Sequence, residues 1–149
     1  MACPAPSDLP GDGAVFLVAS TPLAVRLALR DVLDHPILSG LSKDAIGTAE
    51  LVLAEALNNI VEHAYDRDDG QIEVRLYQSS GKLTCDVYDA GRPMPDGALP
   101  AGLAQIIGKD ADLPEGGFGW FLIRTLTQNL MYRRIDARNH LTFQLNIEQ

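Results

Sequence analysis

Three separate runs of strict two-residue alternation constrain the fold of this chain more than anything else in it. Ile72, Val74 and Leu76 alternate with Glu73 and Arg75. Leu83, Cys85 and Val87 alternate with Thr84, Asp86 and Tyr88, and Leu141, Phe143, Leu145 and Ile147 alternate with Thr142, Gln144 and Asn146. Successive side chains of a strand point to opposite faces, so each run carries one apolar and one polar face. Ser79-Ser80-Gly81 is turn chemistry and joins the first two runs as a hairpin. Met131 to Ile135 and Leu141 to Ile147 form a second hairpin around Asp136-Ala137-Arg138-Asn139. The apolar run Ala14 to Ala19, AVFLVA, has strand length. A sheet with one apolar face takes its helices on that face. The expected fold is α+β: a two-layer α/β sandwich, with a mixed, mostly antiparallel sheet of about five strands and helices on one face.

The helices follow from caps and period. Thr21-Pro22 supplies a capping hydroxyl and a proline for the first helical position. That helix should run to about Leu38, with Pro36 breaking its last turn or ending it early. Ser42 caps a second helix carrying Ile46, Ala49, Leu53, Leu57, Ile60, Val61 and Ala64 at helical spacing, stopped by Asp66-Arg67-Asp68-Asp69-Gly70. Asp89 to Pro100, rich in Gly and Pro, reads as a loop, and Ala101 to Ile107 as a short helix. Asp110 to Gly119 reads as an acidic, glycine-rich loop or lid, and Trp120 to Leu130 as a third helix. Residues 1–13 read as a flexible N-terminal tail and 14–149 as a single domain.

Composition narrows the function classes. A formal charge of −8, from 12 basic and 20 acidic residues, argues against direct binding of nucleic acid, which needs Lys and Arg on phosphates. One bound nucleotide stays open, since backbone N–H groups alone can cradle a phosphate. Neither a secretory signal nor an apolar run of transmembrane length is visible, which implies no membrane association and a cytoplasmic location. Cys3 and Cys85 read as reduced thiols, with Cys85 a small core hydrophobe.

Three short constellations carry chemistry. Glu55 and Asn59 stand four apart inside the apolar second helix, so they share a face. A carboxylate beside an amide oxygen can hold hydrated magnesium, or polarise a hydroxyl, next to a phosphate. Alone, such a pair is more often a polar stripe at the solvent boundary. Asp89-Ala90-Gly91 ends a strand; its carboxylate can accept from an exocyclic amine such as that of adenine, and Gly91 permits close approach of a ligand. Alone, it is a turn. Gly116-Gly117-Phe118-Gly119 enters an apolar helix, where N–H groups and the helix dipole favour an anion. It lacks the Lys-Ser/Thr ending of a Walker loop and the G-x-G-x-x-G of a dinucleotide fold.

Taken in order, helical E-x-x-x-N, strand-terminal D-x-G and G-x-G before a helix resemble the GHKL ATPase family. Within it the chain is most similar to the anti-sigma factor serine/threonine kinases of the RsbW type, through EALNNIVEHAY, VYDAGRPMP, EGGFGWFLIRTL and RNHLTFQL. The resemblance covers roughly Ala14 to Ile147. It implies a GHKL ATPase fold and ATP with Mg2+ as cofactors. It implies that Asn59 coordinates magnesium on the phosphates and that Glu55 is the general base or orients the attacking hydroxyl. It assigns Asp89 to the adenine amine and Gly91 to the base pocket, and Gly117, Phe118 and Gly119 to the loop around the phosphates. His63 occupies a similar face and reads as a packed structural histidine. Pro93 departs from the commoner D-x-G-x-G, and in the short acidic lid stretch between Pro100 and Gly116 Lys109 is the single cation for the γ-phosphate.

The implied activity is phosphorylation of an anti-sigma-antagonist (STAS-type) protein, with sequestration of a sigma factor or similar regulator. Relatives of this type are often homodimers. Arg26 or Arg30 can touch a partner, though a solvated helix face is the simpler reading of each. Two alternatives remain open: a non-catalytic nucleotide-binding docking module, and a detached histidine-kinase-type catalytic domain.

Overall fold

In a computed structural model of the chain, residues 13–63, 70–94, 97, 99 and 117–147 are described. The elements are β1 (Ala14–Ala19), α1 (Pro22–Asp34), a short 3-10 turn (Pro36–Leu38), α2 (Lys43–His63), β2 (Gln71–Ser79), β3 (Lys82–Asp89), α3 (Gly117–Leu126), β4 (Gln128–Ile135) and β5 (Arg138–Asn146). The five strands form one sheet in the order β1-β2-β3-β5-β4. Every pairing is antiparallel, the limit of the mostly antiparallel sheet expected. The expected helix at 101–107, the lid from 110 to 116 with Lys109, and the tail at 1–12 lie outside the described residues.

Alternation decides which face is buried. Val74 pairs with Val87, Leu76 with Cys85, Cys85 with Phe143 and Val87 with Leu141, so one side of the three central strands is continuously apolar. That side joins Val25 and Val32 of α1, the Ala49–Leu57 stripe of α2 and Ile123 of α3 in one core. The other face is polar. His140 Nε2 meets Asp86 Oδ1 at 2.7 Å, Tyr88 stacks on the His140 ring at 4.3 Å, and Arg75 pairs with Glu73. Phe143 is fully buried at the middle of the core. Phe143→Ala should therefore cost about 3–5 kcal/mol in denaturant unfolding; a loss under about 1 kcal/mol would mean the centre of the core lies elsewhere. Cys85 is a free, buried thiol, as expected. Burial pushes its pKa up, with a smaller push from neighbouring Asp86, so it is inert.

The caps hold where the sequence placed them. Ala24 N–H donates to Thr21 Oγ1 at 3.0 Å, and Ala45 N–H donates to Ser42 Oγ at 3.1 Å. α1 ends at Asp34, four residues before the expected Leu38. Pro36 forces His35 into extended backbone, φ −79° and ψ 142°, and the chain continues only as a 3-10 turn.

Two boundaries differ from expectation. The third helix covers 117–126, not 120–130, and β4 begins at Gln128, not Met131. Asn129 has φ +56° and the β4–β5 register shifts between Gln128 and Met131. This irregular strand start blurs the alternation that would have announced it. The second hairpin turns on Asp136 and Ala137 alone, at φ +53° and +63°, the two-residue turn that matches strand twist. Arg138 and Asn139, expected in the turn, therefore belong to β5.

Candidate nucleotide site

α2 is long and its buried stripe runs Ala49, Val52, Leu53, Ala56, Leu57, Asn59, Ile60. One member of that stripe is an amide. Asn59 is only 5% exposed, so it is no solvent-boundary residue, while Glu55, one turn earlier, is half-buried. Packed against this part of α2 is the start of α3. Gly119 is buried there, and a Cβ added to it would stand 2.6 Å from Glu55 Oε2 and 3.4 Å from Asn59 Nδ2. Glu55, Asn59 and Gly119 therefore converge, although 60 residues of sequence separate the last two.

The glycine motif is placed differently from expectation. Gly117 already belongs to α3, so Gly119 lies inside the first turn rather than in a loop before it. The unbonded N–H groups of a helix's first turn attract an anion, and here they start beside the Glu55–Asn59 face. Ala is the better helix former at such a position by about 1 kcal/mol. Gly119→Ala should accordingly leave thermal stability within about 1 kcal/mol of the parent or raise it, because the clashing Glu55 carboxylate can swing aside. The same variant should weaken binding of a nucleoside triphosphate at least tenfold. Unchanged triphosphate binding would remove Gly119 from the site.

Among the described residues, Asn59 Nδ2 is buried with no hydrogen-bond partner. An unmet buried donor costs about 1–3 kcal/mol. Amide N and O interchange by a flip, so the same position can offer Oδ1 to a cation. Among the described residues no three His, Cys, Asp or Glu side chains cluster as metal ligands. A cation here would take most of its oxygens from water and phosphate, which is how magnesium is usually held. The residues thus fit hydrated magnesium carried in with phosphates, and do not form a closed protein cage.

Asp89, at the end of β3, is 4% exposed and lies in register on the helix-covered side of the sheet. Its Oδ1 accepts from Gly91 N–H at 2.9 Å and from Asn139 Nδ2 at 2.8 Å. Burial raises its pKa; the bonds from Asn139 and Gly91, then the charges of Arg134 and Arg138, pull the other way. Asn139 also donates to Arg92 C=O at 2.8 Å, while its own Oδ1 accepts from Tyr132 Oη and from Arg134 Nη1 at 2.9 Å. Arg134 Nη1 donates to Gly91 C=O at 2.9 Å, and Met94 N–H to Tyr132 Oη at 3.0 Å. The 89–94 segment is thus pinned from β4 and β5, including the stretch where Pro93 replaces a glycine.

One contact joins the two halves. Arg92 Nη2 donates to the C=O of His63, the last residue of α2, at 3.0 Å. Asn59 is one turn before that carbonyl, so the Asp89 segment and the Glu55–Asn59 face share one end of the molecule. His63 itself is not the packed structural histidine expected from the sequence. Its side chain is 55% exposed, 3.5 Å from Glu62, because the buried stripe of α2 ends at Ile60. Arg26 and Arg30 are exposed on α1. A separate cleft of about 610 Å3 lies at the far end of α2, lined by Ser42, Asp44, Thr48, Thr125 and Gln128, and holds none of these site residues.

Asn139, Arg134 and Tyr132 were not singled out from sequence. The available signal was phase: continuing Leu145, Phe143 and Leu141 back by two places Asn139 at an inward strand position, where a polar side chain calls for a partner.

Comparison with known proteins places the chain in a family. Residues 18–145 match the histidine kinase-like ATPase domain. The chain is 35% identical over 104 residues to a serine-protein kinase RsbW of Halalkalibacterium halodurans, covering 68% of this chain and 62% of that protein. It is 36% identical over 97 residues to the serine/threonine-protein kinase BtrW of Bordetella bronchiseptica, covering 64% and 66%. It thus spans somewhat less than two thirds of the length of these relatives. In three dimensions it matches the crystal structure of the RsbU and RsbW domains of a Mycobacterium tuberculosis protein with TM-score 0.64 at 17% identity, over 92% of this chain and 33% of that one, a likeness of fold. With the match running through nearly every element that builds the site, the chain belongs to the histidine kinase-like ATPase domain family, where its sequence relatives are serine-protein kinases of the RsbW type.

Proposed function

We propose that this chain is an ATP- and magnesium-dependent protein serine/threonine kinase acting as an anti-sigma factor in a partner-switching system. The observation that carries the reading is the convergence of Glu55, Asn59 and Gly119 at the end of α2 that Arg92 ties to the Asp89 segment. Asp89 accepts from the adenine amine, with Gly91 against the base. The first turn of α3, through Gly117, Phe118 and Gly119, receives the phosphates. Asn59 holds magnesium, which neutralises phosphate charge when bound. Glu55 takes the proton of a serine or threonine hydroxyl. The rest of the rate comes from holding the hydroxyl in line with the phosphoryl group.

Its substrate is an anti-sigma-antagonist protein of the STAS type, and its second partner a sigma factor or similar regulator. The likeness to serine-protein kinases of the RsbW type supports this choice of partners. None of the described helices is long and apolar enough to cross a membrane. A cytoplasmic place suits a kinase with such partners. The test is incubation with magnesium, labelled ATP and a STAS protein encoded nearby. Acid-stable label on the STAS protein supports the reading. Acid-labile label points to a histidine acceptor, and no labelled protein with intact ATP binding points to a docking module.

A further inference from the structure

Asn139 bonds both the Asp89 segment and β4 beside the site. It is 5% exposed, and both ends of its amide are used. Its Oδ1 is held by Tyr132 Oη and Arg134 Nη1, which fixes the orientation of the amide. Nδ2 then has to point at Asp89 Oδ1, 2.8 Å away, and at the Arg92 carbonyl, also 2.8 Å away. Gly91 N–H bonds the same Oδ1. Among the described residues, nothing bonds Oδ2. One oxygen of Asp89 is thus committed to the protein, and the other is left as a pure acceptor.

We propose that Asn139 is the positioning residue that sets base selectivity, by holding Asp89 as an acceptor for an exocyclic amine and against a ring carbonyl. This rests on the assignment of Asp89 to the base of a bound nucleotide. The chemistry is a matter of matching hydrogen-bond sense. A 6-amino purine presents N–H to Oδ2, whereas a 6-oxo purine presents an oxygen and is repelled. Burial favours the protonated carboxyl, which could donate and would tolerate the wrong base. The Asn139 donor opposes that protonation from within the fold. Asn139 does not need to touch the nucleotide for this. It acts through Asp89.

Asn139→Asp is the sharpest test. It keeps the shape and the acceptor for Tyr132 and Arg134, and replaces the donor that Asp89 Oδ1 and the Arg92 carbonyl share. Two carboxyls then share a site, and one must hold a proton. ATP and ITP affinities are measured across pH 5 to 9 on the full chain, by calorimetry. For the parent, ATP binding weakens as pH falls through the Asp89 pKa. In the variant this limb should move up by about one pH unit or more, and the ATP-to-ITP preference should fall about tenfold at neutral pH.

Should paired carboxyls prevent folding, Asn139→Ala removes the donor without a new charge and must move the limb the same way. Asn139→Ser, with a hydroxyl able to donate, should bring it back toward the parent position. A limb and a base preference unchanged in folded Asn139→Ala or Asn139→Asp protein would overturn the proposal, whatever the loss in melting temperature. A parent that binds neither ATP nor ITP would instead overturn the nucleotide assignment on which it rests.

Discussion

Asp89→Asn is expected to exchange the nucleotide preference of this protein while leaving it folded. Gly91 N–H and Asn139 Nδ2 both donate to Oδ1 of Asp89. In the variant the amide oxygen has to stay there to serve them, so its NH2 takes the place of Oδ2. A donor then faces the amine of adenine. Losing a hydrogen bond to a charged acceptor costs about 1.5–3 kcal/mol, and opposing donors cost more. ATP affinity should fall about 100-fold, and ITP, with oxygen in place of the amine, should bind better than to the parent.

Stability should move the other way. Burial raises the Asp89 pKa above its ordinary value, so over that interval the folded state holds more protons than the unfolded one. Its contribution is therefore most favourable below the ordinary carboxylate pKa and is lost as pH rises through the raised value. Asp89→Asn removes this slope and should be at least as stable as the parent at pH 7 by thermal unfolding. A large loss of stability together with unchanged ATP affinity would assign Asp89 to the scaffold instead.

The second large effect concerns Glu55. Glu55→Gln keeps size and hydrogen-bonding reach beside Gly119 but cannot take a proton. Loss of a general base slows a reaction by about 10²–10⁴-fold. Phosphotransfer to a STAS partner should fall by that factor, with ATP affinity within about threefold of the parent, since the proposed site assigns binding to Asp89, Asn59 and α3. Equal transfer rates for variant and parent would remove Glu55 from the chemistry. Tight ATP binding by both with no transfer by either would favour the docking module.

Much of this layout was legible in the residues. Alternation at 72–76, 83–87 and 141–147 fixed which side of the sheet is buried, because a one-residue slip would turn Val74, Cys85 and Phe143 to solvent. Thr21 and Ser42 announced their helices because capping is local chemistry. Glu55 and Asn59 shared a face by helical period alone. What escaped was of two kinds. The start of β4 is irregular at Asn129, so its strand character depends on pairing with β5 and not on its own pattern. The Asn139–Arg134–Tyr132 clamp on Asp89 is tertiary: 50 residues separate Asn139 from Asp89, and no spacing rule links them. His63 shows the limit of helical phase, since the residue following a buried stripe need not be buried.

In the proposed function, the Asp89 end of β3 and the Glu55–Asn59 face of α2 form one ATP site. Calorimetric titration of the full chain with ATP and with ITP, each with magnesium and with EDTA, tests it most directly. ATP should bind, and its binding should weaken about tenfold or more when magnesium is removed, with ITP weaker than ATP by about one charged hydrogen bond, 1.5–3 kcal/mol. Equal affinities for ATP and ITP with no effect of magnesium, or no binding of either, would contradict it.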